Sequence, residues 1–257
     1  PTIALNGNNP LVLECHIDAY QEADAIAIDA CDGAVQVAIT GQVDASAPGT
    51  YLLTYTATDA VGNTATVTRS VHVVDTIPPT IALSGEAEIT LECGLEYLDA
   101  GATATDACDG DLTASIAVEG SVDPFAIGSY VLTYVATDAA GNTAAIARSV
   151  NVVDTTPPTI ALNGANPLVL ECNIDSYREL GATATDNGKE TPTLTITGQV
   201  DISALGTYVL TYTASDAAGN VATVTRIVNV VDTTPPTIAL NGDNPLILEC
   251  NIDSYQE

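Results

Sequence analysis

The sequence predicts an all-β chain of tandem β-sandwich modules arranged as a linear array. Three observations carry that expectation. Pro-Thr-Ile-Ala-Leu begins at Pro1, Pro79, Pro158 and Pro236, a period of 78 or 79 residues, and a fixed period of that size is the mark of a repeat architecture. Apolar residues come in short runs of strand period, as in Ala114-Ser115-Ile116-Ala117-Val118-Glu119-Gly120-Ser121-Val122,. Turn residues separate these runs, and no stretch carries a convincing helical pattern. The modules are expected at residues 1–78, 79–157 and 158–235, with 236–257 as the opening strands of a fourth. A module of 78 residues sits near the limit of what one apolar core stabilises, so additional cross-links are expected.

In chain order, Thr2-Ile3-Ala4-Leu5 is the first strand and Asn6-Gly7 follows it. Later copies carry Ser84-Gly85, Asn163-Gly164 and Asn241-Gly242 at this point. Asn-Gly between apolar runs predicts a hairpin, since both residues accept positive φ, and the second strand would be Leu11-Val12-Leu13-Glu14-Cys15 or its equivalents ending at Cys93 and Cys172. A polar connection bearing Tyr20, Tyr97 or Tyr177 leads to a strand such as 101–106, which ends in an acidic loop. The alternating run 114–122 comes next, then Asp123-Pro124-Phe125 and the tyrosine-rich strand from Gly128. An Asp138-Ala139-Ala140-Gly141-Asn142 turn leads into the last strand, 143–153, and the linker Asp154-Thr155-Thr156-Pro157-Pro158. Six or seven short strands per module indicate a β-sandwich,.

Gly128-Ser129-Tyr130-Val131-Leu132 resembles the immunoglobulin-type corner, in which a tyrosine hydrogen-bonds back along the chain two residues before the second cysteine. Here Leu132 holds the cysteine position, so aliphatic packing is expected to replace the inter-sheet disulfide. Together with Thr103-Ala104-Thr105-Asp106-Ala107-Cys108-Asp109-Gly110-Asp111 and the linker Val152-Val153-Asp154-Thr155-Thr156-Pro157-Pro158, these motifs are similar to the bacterial Ig-like and HYR-type repeats of secreted and cell-surface proteins. The resemblance covers the whole chain. It implies an extracellular or cell-surface structural or adhesive role and no particular ligand.

Charge narrows the partners. The chain has 5 Lys plus Arg against 33 Asp plus Glu, a net charge of −28. Nucleic acid and anionic membranes both call for a basic footprint, so neither is an expected partner. No apolar run approaches the roughly 18 residues of a membrane helix, so no insertion of this segment is expected. A folded module with this charge tolerates self-repulsion or relieves it with bound cations.

Two kinds of cross-link are visible. Cys15 and Cys31 lie 16 residues apart, and Cys93 and Cys108 lie 15 apart. The recurrence predicts one disulfide inside each of the first two modules, worth about 3 kcal/mol for a loop of that size. Such pairs also indicate an oxidising compartment. In the third module Asp186-Asn187-Gly188-Lys189 replaces Asp106-Ala107-Cys108-Asp109, which leaves Cys172 as a buried thiol or as half of an intermolecular bond. Cys250 is expected to pair outside this sequence.

The second kind is acidic. The loop after the third strand and the turn before the last strand should meet at the end where the chain enters from the preceding module. This would gather Asp75, Asp106, Asp109, Asp111, Asp138 and Asn142 at one junction and Asp154, Asp186, Asp216 and Asn220 at the next. Module one offers Asp29, Asp32, Asp59 and Asn63. Converging hard oxygens suit Ca²⁺, which takes about six to eight of them. The same residues are also good turn formers.

His16 and His72 fall where other modules have Asn or Gly and read as solvated strand positions. Arg69, Arg148 and Arg226 recur on the last strand and read as surface salt-bridge partners of little energetic weight. No phosphate loop, nucleophile elbow or histidine-rich motif is present, and no catalysis is expected. The function expected is an extracellular structural segment: a stiff stalk, adhesin shaft or filament, rigidified by inter-module calcium and intramodule disulfides. Its partners would be neighbouring repeats of a longer chain or other copies of itself, end to end or lateral. The alternative is a spacer or carbohydrate-binding accessory region of a secreted hydrolase.

Overall fold

The computed structural model describes residues 1–241 and Cys250. It divides into two compact units, Pro1–Asp154 and Thr155–Glu257. Of the expected fourth-module strands, residues 242–249 and 251–257 lie outside the described residues. Among the described residues there is no α-helix, and a 3-10 turn spans Thr113–Ser115.

The first unit holds two repeats of the same plan. The first comprises β1 (Thr2–Leu5), β2 (Leu11–Glu14), β3 (Ala25–Asp29), β4 (Gly33–Val35), β5 (Val37–Thr40), β6 (Gly49–Thr58) and β7 (Thr64–Val74). The second comprises β8 (Thr80–Leu83), β9 (Glu88–Glu92), β10 (Ala102–Asp106), β11 (Gly110–Asp111), β12 (Ala117–Glu119), β13 (Gly128–Thr137) and β14 (Thr143–Val153). In each, a three-stranded sheet (β1-β3-β4; β11-β10-β8) faces a four-stranded one (β2-β7-β6-β5; β12-β13-β14-β9). The second unit repeats the plan with β15 (Thr159–Leu162), β16 (Leu168–Glu171), β17 (Ala182–Thr185), β18 (Thr193–Thr197), β19 (Gly206–Ser215) and β20 (Val221–Val231). Its sheets are β15-β17 and β16-β20-β19-β18. The expected all-β sandwich is therefore what forms.

The expected Asn-Gly hairpin does not form. β1 pairs antiparallel with β3, Thr2 opposite Ile28, while β2 joins the other sheet and runs parallel to β7, Leu11 opposite Val71. Gly7 turns the chain at φ 77°, a left-handed value that glycine takes without Cβ strain, but the turn leads across the sandwich. Asn9 secures the crossing. Its Nδ2 donates to Thr68 O at 3.0 Å and its Oδ1 accepts Ser70 N–H at 2.9 Å, so a side chain satisfies backbone groups of β7 before β2 begins. Asn166 does the same for Thr225 and Ile227, and in the second repeat Ala87 O accepts Ser149 N–H.

This connectivity gives each repeat two distinct ends. β3 ends opposite the start of β1, so the loop after it lies at the entry end. β2 ends beside Val74, where β7 leaves for the next repeat, so its last residues lie at the exit end.

The core follows the strand alternation. Leu53, Tyr55 and Ala57 of β6 face Val71 and Val73 of β7, with Leu13 and Cys15 beside them, all under 7% exposed. Leu53, Leu132 and Leu210 fill the position of the missing cysteine, at 3–4% exposure. The corner forms as expected: the hydroxyls of Tyr51, Tyr130 and Tyr208 donate to the carbonyls of Ala47, Ala126 and Ala204, each at 2.9 Å. The arginines do not. Arg69, Arg148 and Arg226 are at most 1% exposed, because each is in phase with the inward valines of its strand.

Candidate metal centre

Carboxylates gather where the first repeat hands over to the second. β7 ends at Val74, and Asp75 follows as the first linker residue. Glu14 fixes that linker, accepting Thr76 N–H at 2.6 Å and Thr76 Oγ1–H at 2.9 Å. The loop after β10 contributes Asp106 and Asp109, and the β13–β14 turn contributes Asp138. Carboxylate oxygens of Asp75, Asp109 and Asp138 lie within 4.8 Å of one another. Asn142 ties the turn to the linker, its Nδ2 donating to Asp75 O at 3.2 Å and Asp138 Oδ2 at 2.8 Å.

Asp106 is the informative member. It is 8% exposed, and its Oδ1 accepts the N–H groups of Cys108 (2.7 Å) and Asp109 (3.0 Å). Its Oδ2 is buried without a hydrogen-bond partner. A buried carboxylate oxygen left bare is costly, and this one belongs to a group that acts on Asp75. Removal from water, then the negative charges of Asp106 and Asp138, raise the Asp75 carboxyl above its ordinary value. Asp138 goes the other way: burial opposes its ionisation, but hydrogen bonds from Asn142 outweigh it. Asp138 is thus held ionised by its hydrogen bonds while the neighbours of Asp75 oppose its ionisation, an opposition that a nearby cation would relieve. Asp111, expected in the same set, is exposed and accepts Thr113 N–H at 2.9 Å, so it serves the following turn.

The first repeat has the same acidic loop at its entry. Asp29, Asp32 and Asp59 offer oxygens within 4.8 Å of one another, and Asn63 brackets Asp59 at 2.7 Å through both its N–H and its Nδ2. Asp29 Oδ1 accepts the N–H groups of Cys31 at 2.8 Å and Asp32 at 3.2 Å, as Asp106 Oδ1 does in the second repeat. In the second unit Asn220 brackets Asp216 at 2.8 and 3.0 Å, and Asp186 Oδ1 is buried without a partner. Asp154 is the last residue of the first unit.

The expected intramodule disulfides are not formed. The bond joins Cys15 to Cys108, across 93 residues of sequence and with Cα atoms 5.6 Å apart. Cys31 is exposed and Cys93 buried, both outside it. Fold polarity explains the difference: Cys15 follows β2 at the exit end and Cys31 follows β3 at the entry end. A sandwich length separates them, against the roughly 4.4–6.8 Å between Cα atoms that a disulfide allows. Cys108, at the entry of the second repeat, meets the exit of the first. Cys172 is half-buried, and Cys250 is exposed.

A second constellation, inside each sandwich, is the one the sequence reading missed. Arg69 Nη1 donates to Glu22 Oε1 at 2.7 Å, which also accepts Tyr55 Oη–H at 2.6 Å. The guanidinium carbon sits 5.4 Å from the Tyr55 ring centroid, within cation–π range. Arg148 with Asp99 and Tyr134 repeats the arrangement, and Arg226 keeps the contact with the Tyr212 ring while its Nη1 stands 3.7 Å from Glu179, an ion pair without the hydrogen bond. Burial alone would raise the Glu22 carboxyl, but hydrogen bonds from Tyr20 and Tyr55 and the Arg69 charge bring it below its ordinary value. The sequence signal was the recurrent Tyr-x-acid at Tyr20/Glu22, Tyr97/Asp99 and Tyr177/Glu179, matched by one arginine per last strand.

Comparison with known proteins adds the context. The family described as "Bacterial surface protein, Ig-like domain" matches residues 3–73, 81–152 and 160–230. Hyalin of Lytechinus variegatus is 35% identical over 230 residues, covering 81% of this chain and 42% of that protein. Hyalin of Strongylocentrotus purpuratus is 38% identical over 207 residues, covering 74% of this chain and 17% of that protein. The chain thus spans less than half the length of these relatives. Among solved structures, extracellular cadherin domains 1–4 of protocadherin gamma B7 are similar at 13% identity and a TM-score of 0.35, over 87% of this chain and 75% of that one.

Proposed function

The chain belongs to the bacterial surface protein Ig-like domain family, and from that membership we propose that it is a structural segment of an extracellular stalk, adhesin shaft or filament whose first joint is clamped by calcium. Tandem surface repeats of this family support an extracellular or surface location, and no helix among the described residues is long and apolar enough to cross a membrane. Its nearest partners are the adjoining repeats of a longer chain, with other copies of itself as a further class.

One observation carries the calcium reading. Asp75 belongs to the first repeat and Asp106, Asp109 and Asp138 to the second, so an ion bound among them has ligands on both sides of the joint. Without an ion these four carboxylates repel one another across the joint; a divalent cation turns that repulsion into attraction. Hard carboxylate oxygens drawn from several loops favour Ca²⁺, which accepts varied coordination geometry, over Mg²⁺, which demands stricter octahedral geometry. Every described tyrosine is buried or half-buried, and Phe125 alone among the described aromatic residues is exposed, which supports a structural segment over a carbohydrate-binding accessory region.

Calorimetric titration of the oxidised chain with CaCl2, alongside melting with calcium and with chelator, tests the proposal. Saturable binding and a melting temperature raised by several degrees are expected, with both lost in Asp109→Asn/Asp138→Asn. Coincident melting curves and no binding heat would mean that the acidic loops are turns only.

A further inference from the structure

The disulfide and the acidic cluster cross the same joint between the same two pieces of chain. Cys15 N–H donates to Val74 O at 2.8 Å, so Cys15 is held against the strand end that carries Asp75. Its partner Cys108 sits between Asp106 and Asp109, and the N–H groups of Cys108 and Asp109 both bind Asp106 Oδ1. The sulfur bridge therefore fixes the loop that presents Asp106 and Asp109 to the linker that presents Asp75. A second contact orients the loop: Asp109 Oδ2 accepts Ala139 N–H at 2.6 Å, next to Asp138. Asp106 Oδ2, buried and accepting no hydrogen bond, is an acceptor in this loop left available to a cation.

We propose that the Cys15–Cys108 disulfide and the cation cluster form one redox-linked clasp: oxidation pre-organises the carboxylates for a divalent cation, and the bound cation protects the disulfide from reduction. This rests on the calcium reading above. With the bridge closed, Asp75 is already beside the second-repeat carboxylates when the ion arrives. With it open, the ion has to order the joint as well as bind it, and binding weakens. Linkage makes the effect reciprocal, so calcium must disfavour reduction by the same factor that reduction weakens calcium binding. The reduction itself consumes two electrons and two protons from a dithiol. A reductant thiolate attacks Cys108 Sγ, the half-buried partner, and displaces Cys15 as the leaving thiolate. The second reductant thiol then resolves the mixed disulfide, leaving two protein thiols and an oxidised reductant.

The test is calcium titration of the full chain, oxidised and then reduced with a phosphine, together with the Cys15→Ser/Cys108→Ser variant. The expected result is a Kd about ten-fold weaker in the reduced chain and in the variant, within the ordinary range of couplings between linked sites. In a dithiol redox buffer, saturating calcium should shift the oxidised-to-reduced ratio of this pair by the same factor. Equal Kd values in both redox states would overturn the clasp and leave the calcium reading standing. No binding in the oxidised chain would overturn both. If the variant does not fold, the reduced wild-type chain decides: circular dichroism restored by calcium supports coupling at the joint. A loss of fold that no calcium concentration restores overturns it, since the disulfide would then be holding a repeat and not the joint.

Discussion

The buried arginines set the chemistry of each sandwich at the level of single side chains. Arg148 is wholly buried, whereas its partner Asp99 keeps 30% of its side-chain exposure, so the pair is anchored on one side and open to water on the other. Removing one member of a buried pair costs about 3–5 kcal/mol; for Arg148→Met we expect about 3 kcal/mol, the low end of that range, because water can still reach Asp99. Chemical denaturation of the variant checks this. Acid should act through the same groups. Glu22, Asp99 and Glu179 all sit below their ordinary values. A carboxyl depressed in the folded state stabilises the fold fully above its unfolded value, about 3.9 for Asp and about 4.3 for Glu, and loses that contribution as pH falls through the folded value. Melting temperature should therefore drop between pH 5 and pH 2 beyond what surface carboxylates account for, and Arg148→Met should flatten that dependence; parallel pH profiles for variant and parent would refute it. These residues were legible in the sequence, but rarity misled. In so acidic a chain an arginine reads as a surface counter-charge, and only its shared phase with Val150 and Val152, both buried, shows that it points inward.

At the scale of strands, alternation and turns identified nearly every element, while pairing partners were harder to read. Asn-Gly is a hairpin signal only when the two flanking runs share a sheet. Here the first run is taken by β3 and the second by β7, a long-range choice that no local pattern records. The side-chain clamp of Asn9 is the local device that makes the crossing workable. Asn9→Ala leaves Thr68 O and Ser70 N–H without this partner and should cost the first repeat about 1–2 kcal/mol. Asn166→Ala should do the same to the third repeat. Hydrogen exchange at Ser70 and Ile227 reports each loss, and unchanged protection in both variants would show that the clamp is dispensable. Gly120 illustrates a different constraint: at φ 97° an added Cβ would meet Val131 O at 2.2 Å, so the chain after β12 can pass β13 only with glycine there.

Over the whole molecule, the period, the charge and the convergence of linker and loops at a joint could be read from the sequence. The cysteine pairing could not, because spacing within a repeat says nothing about which end of the sandwich each residue occupies. Once β2 runs parallel to β7, the rule is simple: the cysteine after the second strand faces forward and the loop cysteine faces back.

The bridge between Cys15 and Cys108 also decides what the chain does under tension. Pulled from its two ends, an oxidised chain transmits force from β2 to the loop after β10 through a single sulfur–sulfur bond. β3 to β7, and β8 to β10 after them, hang from that bond as a closed loop and carry no load. The loop encloses a sequence separation of 93 residues, so about 300 Å of contour length stays hidden however hard the chain is drawn, and appears only when the bridge is cut. In single-molecule stretching, adding a reductant should lengthen the fully extended chain by about that amount. Five of the first repeat's seven strands, β3 to β7, are so placed less as links in the line than as ballast fastened beside it.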